Sequence, residues 1–371
     1  MRVLVVNAGS STLKLTLLDE QDTTLASQEL SAARAQVDPD LLRAALNSPL
    51  READAVGHRI VHGGERFREA VRIDTYVEAA MRELCDLAPL HQLGSLAALD
   101  AVTEMLPGLP AVACFDTAFH STLLMAAATY ALPAAWREQW GLRRYGFHGL
   151  SHAWVARRTP QLLKRDPVGL RVVSCHLGAG ASLCAIRGGH SLDTTMGFTP
   201  LEGLVMATRS GSVDPGMLLW LAERSELTLA ELADALEHDS GLFGLAGSAD
   251  MREIVSHVEN GDERARLALD VYTHRLRAGI AAMAATLGGL DVLVFTGGIG
   301  EHSHEVRSRA AAGLGFLGLS LDQTRNRQAA GDAEISAAGA TVRSLVLTAR
   351  EDLEIARQVR TVLEGRSSLQ A

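Results

Sequence analysis

The sequence predicts an α/β fold made of two related halves, and two observations lead to this prediction. Short apolar runs rich in β-branched residues alternate along the chain with longer segments of helical periodicity. The opening stretch VLVVNAGSSTLKLTLLD (residues 3–19) also has a counterpart, RVVSCHLGAGASLCAIRGG, at residues 171–189. Both consist of an apolar strand, a polar residue, a turn of small residues and a second apolar strand. We therefore interpret the chain as a duplicated fold.

The individual elements follow from the same two periodicities. Apolar runs bounded by turn residues predict strands at residues 3–6, 13–18, 55–60, 111–115, 171–175, 183–187, 292–295 and 342–347. Apolar residues that recur every three or four positions predict helices at residues 41–46, 76–87, 93–105, 227–237, 262–287 and 352–363. Strands and helices thus alternate through most of the chain.

The composition excludes several classes of protein. A chain of 371 residues has the length of two ordinary domains, and 47% hydrophobic with 21% charged residues is typical of a globular protein with a sizeable core. The formal net charge of −9 argues against a nucleic-acid surface. No apolar run approaches the ~20 residues that span a bilayer. The four cysteines are scattered without a CxxC pair, so we expect reduced thiols in a cytoplasmic protein.

Asn7 and the small residues after it form the turn of the opening hairpin. One interpretation is a plain β-hairpin, and the other is a turn whose backbone N–H groups and hydroxyls hold a phosphate. Lys14 lies in the same hairpin, where it is either a solvated strand residue or a phosphate contact. Neither a GxxxxGK(S/T) sequence nor a GxGxxG sequence in a Rossmann context occurs. Two such hairpins, with Asn7 loosely aligned to His176, are typical of actin-like ATPases, whose two domains each present a hairpin to the phosphates of a nucleotide.

Polar side chains follow or end strands in the first half. GHRIVHGGERF places Arg59 and His62 beside paired glycines, although Arg59 could be an ordinary surface arginine. In CFDTAFH, Asp116 ends an apolar strand, where a carboxylate could organise magnesium, act as a general base or cap a helix. RRYGFHGLSH brings His148 and His152 close in sequence, and either could donate to a phosphate or have only a structural role.

The second half contains a long, glycine-punctuated segment, DTTMGFTPLEGLVMATRSGSVDPG. Within it, Arg209 lies in a turn just before a helix that Asp214 and Pro215 are expected to start. Farther on, VFTGGIGEHS ends a strand in a Gly-Gly turn that opens a helix. Such a turn lets the backbone approach a flat ligand such as adenine closely.

Two predicted helix starts carry acidic residues. GSADMREI presents Asp250 and Arg252 at the first of them, and TAREDLEIA places Glu351 and Asp352 in the first turn of the last helix. Acidic residues in these positions interact favourably with the helix dipole. The alternative interpretation for the final pair is coordination of Mg²⁺.

Taken together, these motifs resemble those of the acetokinase family, within the acetate and sugar kinase/Hsp70/actin superfamily. The matching stretches occur in the family's order over essentially the whole chain: VVNAGSSTLK, GHRIVHGG, FDTAFH, RYGFHGLSH, HLGAGAS, DTTMGFTPLEGLVMATRSG, DMREI, FTGGIGE and EDLEIA. Any single stretch is a weak signal, whereas the ordered set is highly specific.

The resemblance implies two actin-like (ribonuclease H-like) domains with a nucleotide cleft between them. The first would comprise residues 1–120 and 354–371, and the second, residues 121–353, would carry most of the nucleotide site. It also implies a homodimer that reversibly transfers the γ-phosphoryl group of ATP, directly and in line, to acetate, giving acetyl phosphate and ADP. Mg²⁺, or Mn²⁺ in its place, would be the cofactor, and neither nucleic acid nor a membrane is an expected partner.

The same resemblance assigns roles by position. The residues expected to be catalytic are Arg59, Asp116, His148 and Arg209. The two arginines would bind the carboxylate and the transferred group, His148 would donate a hydrogen bond to that group, and Asp116 would organise Mg²⁺ together with Glu351. Acetate would be bound by Arg59 and by a small apolar pocket formed by Val61, Leu90, Phe147 and Pro200, with His91 beside it. The nucleotide contacts would be Lys14, His176, Leu177, Gly178, Gly180, Asp250, Met251, Arg252, Gly297, Gly298, Ile299 and Gly300. The metal would be held by Asn7 and Glu351.

The chemistry of such a reaction agrees with these residue types. A carboxylate is ionised at neutral pH, so it needs no general base to attack phosphorus. The obstacle is repulsion between two anions, which two arginines and a metal ion relieve. A propionate or other short-chain carboxylate kinase is an alternative, since one methylene in an apolar pocket is worth only ~1–3 kcal/mol. A sugar kinase would use Asp116 as a base, and a non-catalytic nucleotide-binding regulator would be expected to lack Arg59, Arg209 or Glu351.

The sequence departs from the family pattern at several positions. Residues 92–95 read QLGS where the family has NPPN, next to the expected acyl pocket. Ala179 and His302 replace asparagines near the expected nucleotide site, and Ser212 and Arg350 replace an aspartate and an asparagine. The sequence therefore leaves nucleotide affinity, phosphoryl donor and acyl-chain preference open.

Overall fold

The computed structural model of the protein describes residues 1–9, 12–31, 39–46, 49–87 and 89–365, without the side chains of residues 39, 86, 87 and 89–91. The chain folds into two compact units. The first contains Met1–Ser121, Phe147–Trp154 and the chain from Arg350, and the second contains Thr122–Gly146 and Val155–Ala349. Within the described ranges, no helix combines the length and the apolar character that a membrane span requires.

The first unit is built on a mixed sheet of six strands. These are β1 (Val3–Ala8), β2 (Thr12–Leu18), β3 (Thr24–Ser31), β4 (Ala55–Ile60), β5 (Val71–Arg72) and β6 (Ala111–Phe115). They lie in the order β3-β2-β1-β4-β6-β5, with β4 parallel to β1 and β6 and the other pairs antiparallel. The carboxyl ends of β1, β4 and β6 therefore meet at one edge of the sheet.

The sheet of the second unit has the same topology. Its strands are β7 (Arg171–Leu177), β8 (Ala181–Arg187), β9 (His190–Thr194), β10 (Val292–Thr296), β11 (Ala333–Glu334) and β12 (Arg343–Val346). Their order is β9-β8-β7-β10-β12-β11, with β10 parallel to β7 and β12. Each strand of the first sheet thus has a counterpart in the second, and the predicted duplicated α/β fold is confirmed.

Helices connect and cover the strands. They are α1 (Pro39–Ala45), α2 (Thr75–Glu83), α3 (Pro89–Met105), α4 (Met125–Ala128), α5 (Ala134–Trp140), α6 (Gly149–Leu163), α7 (Pro215–Arg224), α8 (Leu229–His238), α9 (Gly241–Ala246), α10 (Met251–Glu259), α11 (Glu263–Leu287), α12 (Gly297–His302), α13 (His304–Ala312), α14 (Gln323–Gln328) and α15 (Glu351–Leu363). Aspartates cap several of them; for example, the side chain of Asp214 accepts the N–H of Met217 at the start of α7.

The core of the first unit lies on both faces of its sheet. Alternate residues of β1 point to opposite faces, so Leu4 joins the cluster that includes Val102 of α3, whereas Val5 joins the cluster that includes Val359 of α15. A Cβ atom on Gly57 in β4 would lie 2.6 Å from a methyl carbon of Ile355. Glycine at this position therefore lets α15 pack directly against the strand. In the second unit, the long helix α11 packs against β7 and β8.

Candidate active site

Four polar side chains form a connected set at the carboxyl edge of the first sheet. Arg59, in β4, donates from Nε to Oδ1 of Asp116 at 3.1 Å and from Nη2 to Oδ2 of Asp116 at 2.6 Å. Nη1 of Arg59 donates to Oδ1 of Asn7, in β1, at 3.2 Å, and Nδ2 of Asn7 donates to Oε2 of Glu351 at 2.9 Å. Asp116 directly follows β6, and Glu351 begins α15. The fold thus brings together two residues predicted for catalysis and the two predicted for metal binding.

The charges in this set constrain one another. Asp116 is fully buried and Arg59 is only 14% exposed. Burial by itself would lower the pKa of Arg59, but the charges of Asp116 and Glu351 outweigh it and raise that pKa above its ordinary value. Arg59 is therefore a permanent cation between two carboxylates. The set carries a formal charge of −1 and can accept a further cation.

His148 lies next to this set because of a close backbone approach. Gly149 donates its N–H to the carbonyl oxygen of Asp116 at 2.9 Å, and a Cβ atom on Gly149 would collide with that carbonyl group. His148, the preceding residue, has a φ of 56°, which is uncommon for a residue other than glycine. The buried Phe147 is held in turn by His120, whose Nε2 donates to the carbonyl oxygen of Phe147 at 3.0 Å. The segment of Phe147 and His148 is thus held next to Asp116 by the bond from Gly149, and the ring of His120 holds its main chain at Phe147.

The segment after β4 lies against Phe147. The ring of His62 meets the ring of Phe147 edge-on, with 5.5 Å between centroids, and the neighbouring Val61 is buried. Burial lowers the pKa of His62 to about 4, so this ring is neutral at physiological pH. Val61 and Phe147, both predicted for the acyl pocket, therefore belong to one region of the first unit.

Gln92, in α3, is a structural residue of this region that sequence reasoning missed. Its Oε1 accepts the N–H of His62 at 3.1 Å, and its Nε2 donates to the carbonyl oxygen of His62 at 3.2 Å. The only sign of it in the sequence is its place in the departure from the family pattern. Leu90 and His91, predicted for the same pocket, lie outside the residues whose side chains are described.

In the second unit, Arg209 lies in the loop between β9 and α7. Its Nε lies 2.8 Å from Oε2 of Glu237, near the end of α8, and the two side chains are 14% and 10% exposed. Nη1 of Arg209 donates to the carbonyl oxygen of Pro200 at 3.5 Å. Arg209, predicted to be catalytic, and Pro200, predicted for the acyl pocket, are therefore in contact. Glu237 was not predicted, because a carboxylate in the last turn of an amphipathic helix has no distinctive sequence pattern.

A polar cluster anchors the loop that carries Pro200. Glu202 accepts hydrogen bonds from the hydroxyl of Tyr130 and, at 2.6 Å, from Nη2 of Arg144. Arg144 also donates to the carbonyl oxygen of Thr195 at 3.0 Å. Burial and the bond to Glu202 raise the pKa of Tyr130, so its hydroxyl stays protonated as a donor. The cluster fastens this loop on both sides of Pro200.

The turn between β7 and β8 packs against the Gly-Gly turn after β10. Gly178 donates its N–H to the carbonyl oxygen of Gly180 at 3.0 Å, which closes the first turn. Gly297 has a φ of 77°, and a Cβ atom on it would lie 2.9 Å from the carbonyl oxygen of Leu177. Only glycine combines that conformation with so close an approach. The two glycine-rich turns predicted for nucleotide binding therefore lie side by side.

A cavity of about 650 Å³ opens beside these turns. The predicted nucleotide residues that line it are Gly178, Asp250, Met251, Arg252, Gly298 and Ile299. Ala179 and His302, two of the departures from the family pattern, line it as well. The lining residues that sequence reasoning missed are Ala249, Val255, Ser303, His304 and Glu305. A cavity of this volume is in the range of small-molecule sites.

Asp250 and Arg252 hold each other at the start of α10. Asp250 caps the helix by accepting the N–H of Arg252 at 2.8 Å, and Nη2 of Arg252 donates to its carboxylate at 2.6 Å. The hydrogen bonds from Arg252 lower the pKa of Asp250. The pair at the cavity wall is therefore a pre-formed ionic cap.

The other predicted nucleotide residues lie outside the cavity lining. His176, Leu177, Gly180, Gly297 and Gly300 form the β7–β8 hairpin and the start of α12 beside it. Lys14 belongs to the first unit, where it is exposed in β2, opposite Asn7 in the strand register.

The chain is similar to known proteins over nearly its whole length. The model of the acetokinase family matches residues 22–357. A protein named acetate kinase from Gloeobacter violaceus is 52% identical over 309 residues, which is 83% of this chain and 76% of that relative.

Solved structures of similar proteins agree with the fold. The crystal structure of Porphyromonas gingivalis acetate kinase matches with a TM-score of 0.89 and 36% identity, covering 98% of this chain and 99% of that one. A propionate kinase from Francisella tularensis matches with a TM-score of 0.90 and 32% identity, covering 97% of this chain and 99% of that one. The family that the motifs resembled is thereby confirmed, and the chain belongs to the acetokinase family.

Proposed function

We propose that this protein is an acetate kinase, which reversibly transfers the γ-phosphoryl group of ATP to acetate and yields acetyl phosphate and ADP. The observation that carries the proposal is the set of Arg59, Asp116, Asn7 and Glu351, which places a fixed cation and oxygen ligands at one edge of a sheet. Membership of the acetokinase family supports it.

The reaction needs charge neutralisation more than acid–base chemistry. Acetate is already ionised at neutral pH, so its oxygen can attack the γ-phosphorus without losing a proton. Arg59 and Arg209 bind the carboxylate and the group in transfer and reduce the repulsion between the two anions. Asp116 holds the guanidinium of Arg59 in place, and His148 donates a hydrogen bond to the transferred group.

The residues beside Arg59 fit a magnesium ion. Among the described residues, no three His, Cys, Asp or Glu side chains form a metal site by themselves. Mg²⁺, however, is commonly bound by one or two carboxylates together with substrate phosphates. Asn7 and Glu351 would hold the ion with Asp116 nearby, all through oxygen atoms. When bound, Mg²⁺ would neutralise phosphate charge.

The cavity of the second unit suits the nucleotide. Its volume of about 650 Å³ and its glycine-rich wall fit a nucleoside, whose flat base can lie close to a backbone without side chains. The N–H groups of the β7–β8 turn would face the phosphates, as the resemblance implied for His176 and the glycines after it.

A propionate kinase is the second candidate, because a specific observation favours it. A propionate kinase from Francisella tularensis has the same fold with a TM-score of 0.90 at 32% identity. One methylene in an apolar pocket contributes only ~1–3 kcal/mol to discrimination. The buried Val61 and Phe147 are compatible with either acid.

Trapping of the acyl phosphate with hydroxylamine tests the proposal. The full-length protein is assayed with acetate, propionate and butyrate, each with ATP, GTP or pyrophosphate and Mg²⁺. We expect acetyl hydroxamate with ATP, at the highest kcat/KM among the three acids. A higher kcat/KM for propionate would instead support the second candidate, and no acyl hydroxamate with any pair would contradict both.

Arginine variants test the site within the same assay. Each of Arg59→Ala and Arg209→Ala is expected to lower kcat by about 10³-fold or more, since a guanidinium at the transferred group contributes about that much. Arg327→Ala, which removes an exposed arginine of α14, is the matched control and should leave kcat unchanged. A folded Arg209→Ala protein with near-normal turnover would contradict the role of Arg209.

We also propose a cytoplasmic homodimer, which the family resemblance implies. The scattered, unpatterned cysteines support the compartment. Support for the dimer comes from α7, which buries none of its residues although Met217, Leu219 and Trp220 are apolar. Several exposed apolar side chains on one helix are typical of protein–protein interfaces.

A further inference from the structure

The loop that carries Arg209 rests on the segment from the end of α8 into α9. Ser210 donates its N–H to the carbonyl oxygen of Leu236 at 3.1 Å, and Ser240 donates to that of Thr208 at 2.9 Å. The N–H groups of Leu242 and Phe243 donate, each at 2.9 Å, to the carbonyl oxygens of Met206 and Ala207. The main chain on both sides of Arg209 is therefore tied to this segment.

Glu237 lies at the centre of this support. The hydroxyl of Thr208, the residue before Arg209, donates to the carbonyl oxygen of Glu237 at 2.8 Å. The carboxylate of Glu237 in turn lies 2.8 Å from Nε of Arg209. Glu237 thus contacts the loop through its main chain and the guanidinium through its side chain.

The position of Glu237 is unfavourable for a carboxylate that has no cationic partner. It lies in the last turn of α8, where the helix dipole repels negative charge. The side chain is also 90% removed from solvent, and a buried carboxylate needs a cationic partner. Arg209 supplies that partner, so the pair is mutually stabilised.

The contact orders a side chain that would otherwise have many conformations. Arginine has several rotatable bonds, and its freedom must be lost before the guanidinium can meet a reactant at a defined place. Glu237 approaches at Nε, the guanidinium nitrogen nearest the main chain, and so holds the planar group at its base. The carbonyl oxygen of Pro200, 3.5 Å from Nη1, is a second partner of the same guanidinium.

We propose that Glu237 is a positioning residue, which holds the guanidinium of Arg209 in the orientation that meets the anionic reactants. The inference rests on the proposed function, in which Arg209 binds the transferred group. In this role the carboxylate of Glu237 acts through Arg209 and not by contact with a reactant.

The same carboxylate could also oppose catalysis, because its negative charge partly offsets that of Arg209. If Glu237 positions Arg209, residue 237 needs an atom that accepts a hydrogen bond from Nε. If the charge of Glu237 weakens the effect of Arg209, removal of that charge is favourable. A glutamine keeps an oxygen that accepts from Nε but removes the charge, whereas an alanine removes both. If Glu237 positions Arg209, Glu237→Gln should retain much of the kcat that Glu237→Ala loses. If the charge of Glu237 opposes catalysis, both substitutions should increase kcat.

The test measures kcat and KM of the full-length enzyme by hydroxamate trapping. We expect Glu237→Ala to lower kcat by about 10- to 100-fold, the size of the effect of a small misplacement, with little change in the KM for ATP. Glu237→Gln should keep roughly a third or more of the wild-type kcat. Asp234→Ala, which removes an exposed carboxylate from the same helix, is the matched control and should behave as wild type.

Three outcomes would overturn the proposal: wild-type kcat in Glu237→Ala, higher kcat in both Glu237 variants, or a loss in Glu237→Gln as large as in Glu237→Ala. Circular dichroism and thermal unfolding confirm that each variant is folded.

If Glu237→Ala does not fold, Glu237→Asp replaces it, because the shorter side chain keeps the charge but withdraws it from Nε. A fall in its kcat of about 10-fold supports positioning, and wild-type kcat contradicts it. Normal turnover in Arg209→Ala would instead show that the proposed role of Arg209 is wrong, a result distinguishable from any Glu237 outcome.

Discussion

Individual residues at strand ends were the most predictable part of the site. Asn7, Arg59 and Asp116 each end, or nearly end, an apolar run, and parallel strands bring such positions to one edge of a sheet. The hydrogen-bond or ion-pair partner of each of these side chains was not predictable from the sequence. The sequence is compatible with Asp116 as a base, a metal organiser or a helix cap, and in the structure Asp116 pairs with Arg59. That pairing depends on the distance between two strands and not on either local sequence.

At the same scale, His58 shows how burial sets a charge state. It lies beside Arg59 in β4 and lines a cavity of about 270 Å³ on the face that packs against α3. Neither ring nitrogen has a hydrogen-bond partner among the described residues. Burial lowers the pKa of His58 from 6.5 to about 3, so the folded protein keeps this ring neutral at physiological pH.

The pKa of His58 predicts a pH dependence of stability. The pKa of His58 is lower in the folded chain than in the unfolded chain. Below pH 6.5 the unfolded chain therefore binds a proton at His58, whereas the folded chain does not. The free energy of unfolding should therefore decrease as the pH is lowered below 6.5, by about 1.4 kcal/mol per pH unit from this group. We expect His58→Leu to reduce the measured slope by that amount between about pH 6 and about pH 5 in urea unfolding, while the slope from the buried His62 remains. His190→Gln, at an exposed position, is the control; an unchanged slope in His58→Leu would contradict the prediction.

Among the elements, those with a strong apolar pattern were predictable. Each predicted strand is present, from β1 to β12, and the predicted long helix corresponds to α11. The strands that were missed are β3, β5, β9 and β11. β3 is exposed along most of its length, so it has no apolar alternation and forms only because β2 offers it a pairing edge. The predicted helix at 76–87 was too long, since α2 ends at Glu83 and a 3₁₀ turn follows.

The junction between α8 and α9 leads to a prediction about an element. Gly241 has a φ of 62°, and a Cβ atom on it would lie 2.6 Å from the carbonyl oxygen of Arg209 and closer still to that of Met206. Gly247, at the other end of α9, has a similar φ of 76° but nothing within 4 Å. Both Gly→Ala changes cost about 1–2 kcal/mol in backbone strain. Only Gly241→Ala adds a collision.

We therefore expect Gly241→Ala to lower the free energy of unfolding by about 1–3 kcal/mol more than Gly247→Ala. Displacement of the Arg209 loop should also reduce kcat in Gly241→Ala alone. Urea unfolding and the hydroxamate assay measure the two effects. Equal stability and equal kcat in the two variants would show that the loop does not depend on this close approach.

For the whole molecule, the duplication was visible in the sequence because the two hairpins share a pattern. The structure extends that likeness to every strand pairing of the two sheets. The segment from Phe147 to Trp154 belongs to the first unit although the chain on both sides of it belongs to the second. This segment joins the first unit through contacts such as the hydrogen bond from the N–H of Gly149 to the carbonyl oxygen of Asp116. No change in composition along the sequence indicates it.

The proposed dimer is tested at this scale. A chain of 39.5 kDa should elute with twice that mass in size-exclusion chromatography with light scattering. We expect Trp220→Asp, which places a charge among the exposed apolar residues of α7, to shift the mass towards that of one chain. Val168→Asp, at an exposed loop position of the same unit, is the control. A dimer that persists in Trp220→Asp would show that α7 is not the interface.

By itself the sequence determined the α/β class, the duplication, the family and the polar residues at strand ends and helix starts. These features depend on local periodicity, capping and turn chemistry, which act between residues close together in the chain. Only the tertiary structure decided that Arg209 pairs with Glu237, that Gln92 fastens His62 and that Arg59 lies between two carboxylates. Those partners are distant in sequence, and their contacts exist only because packing of the sheets and helices brings them within hydrogen-bond distance.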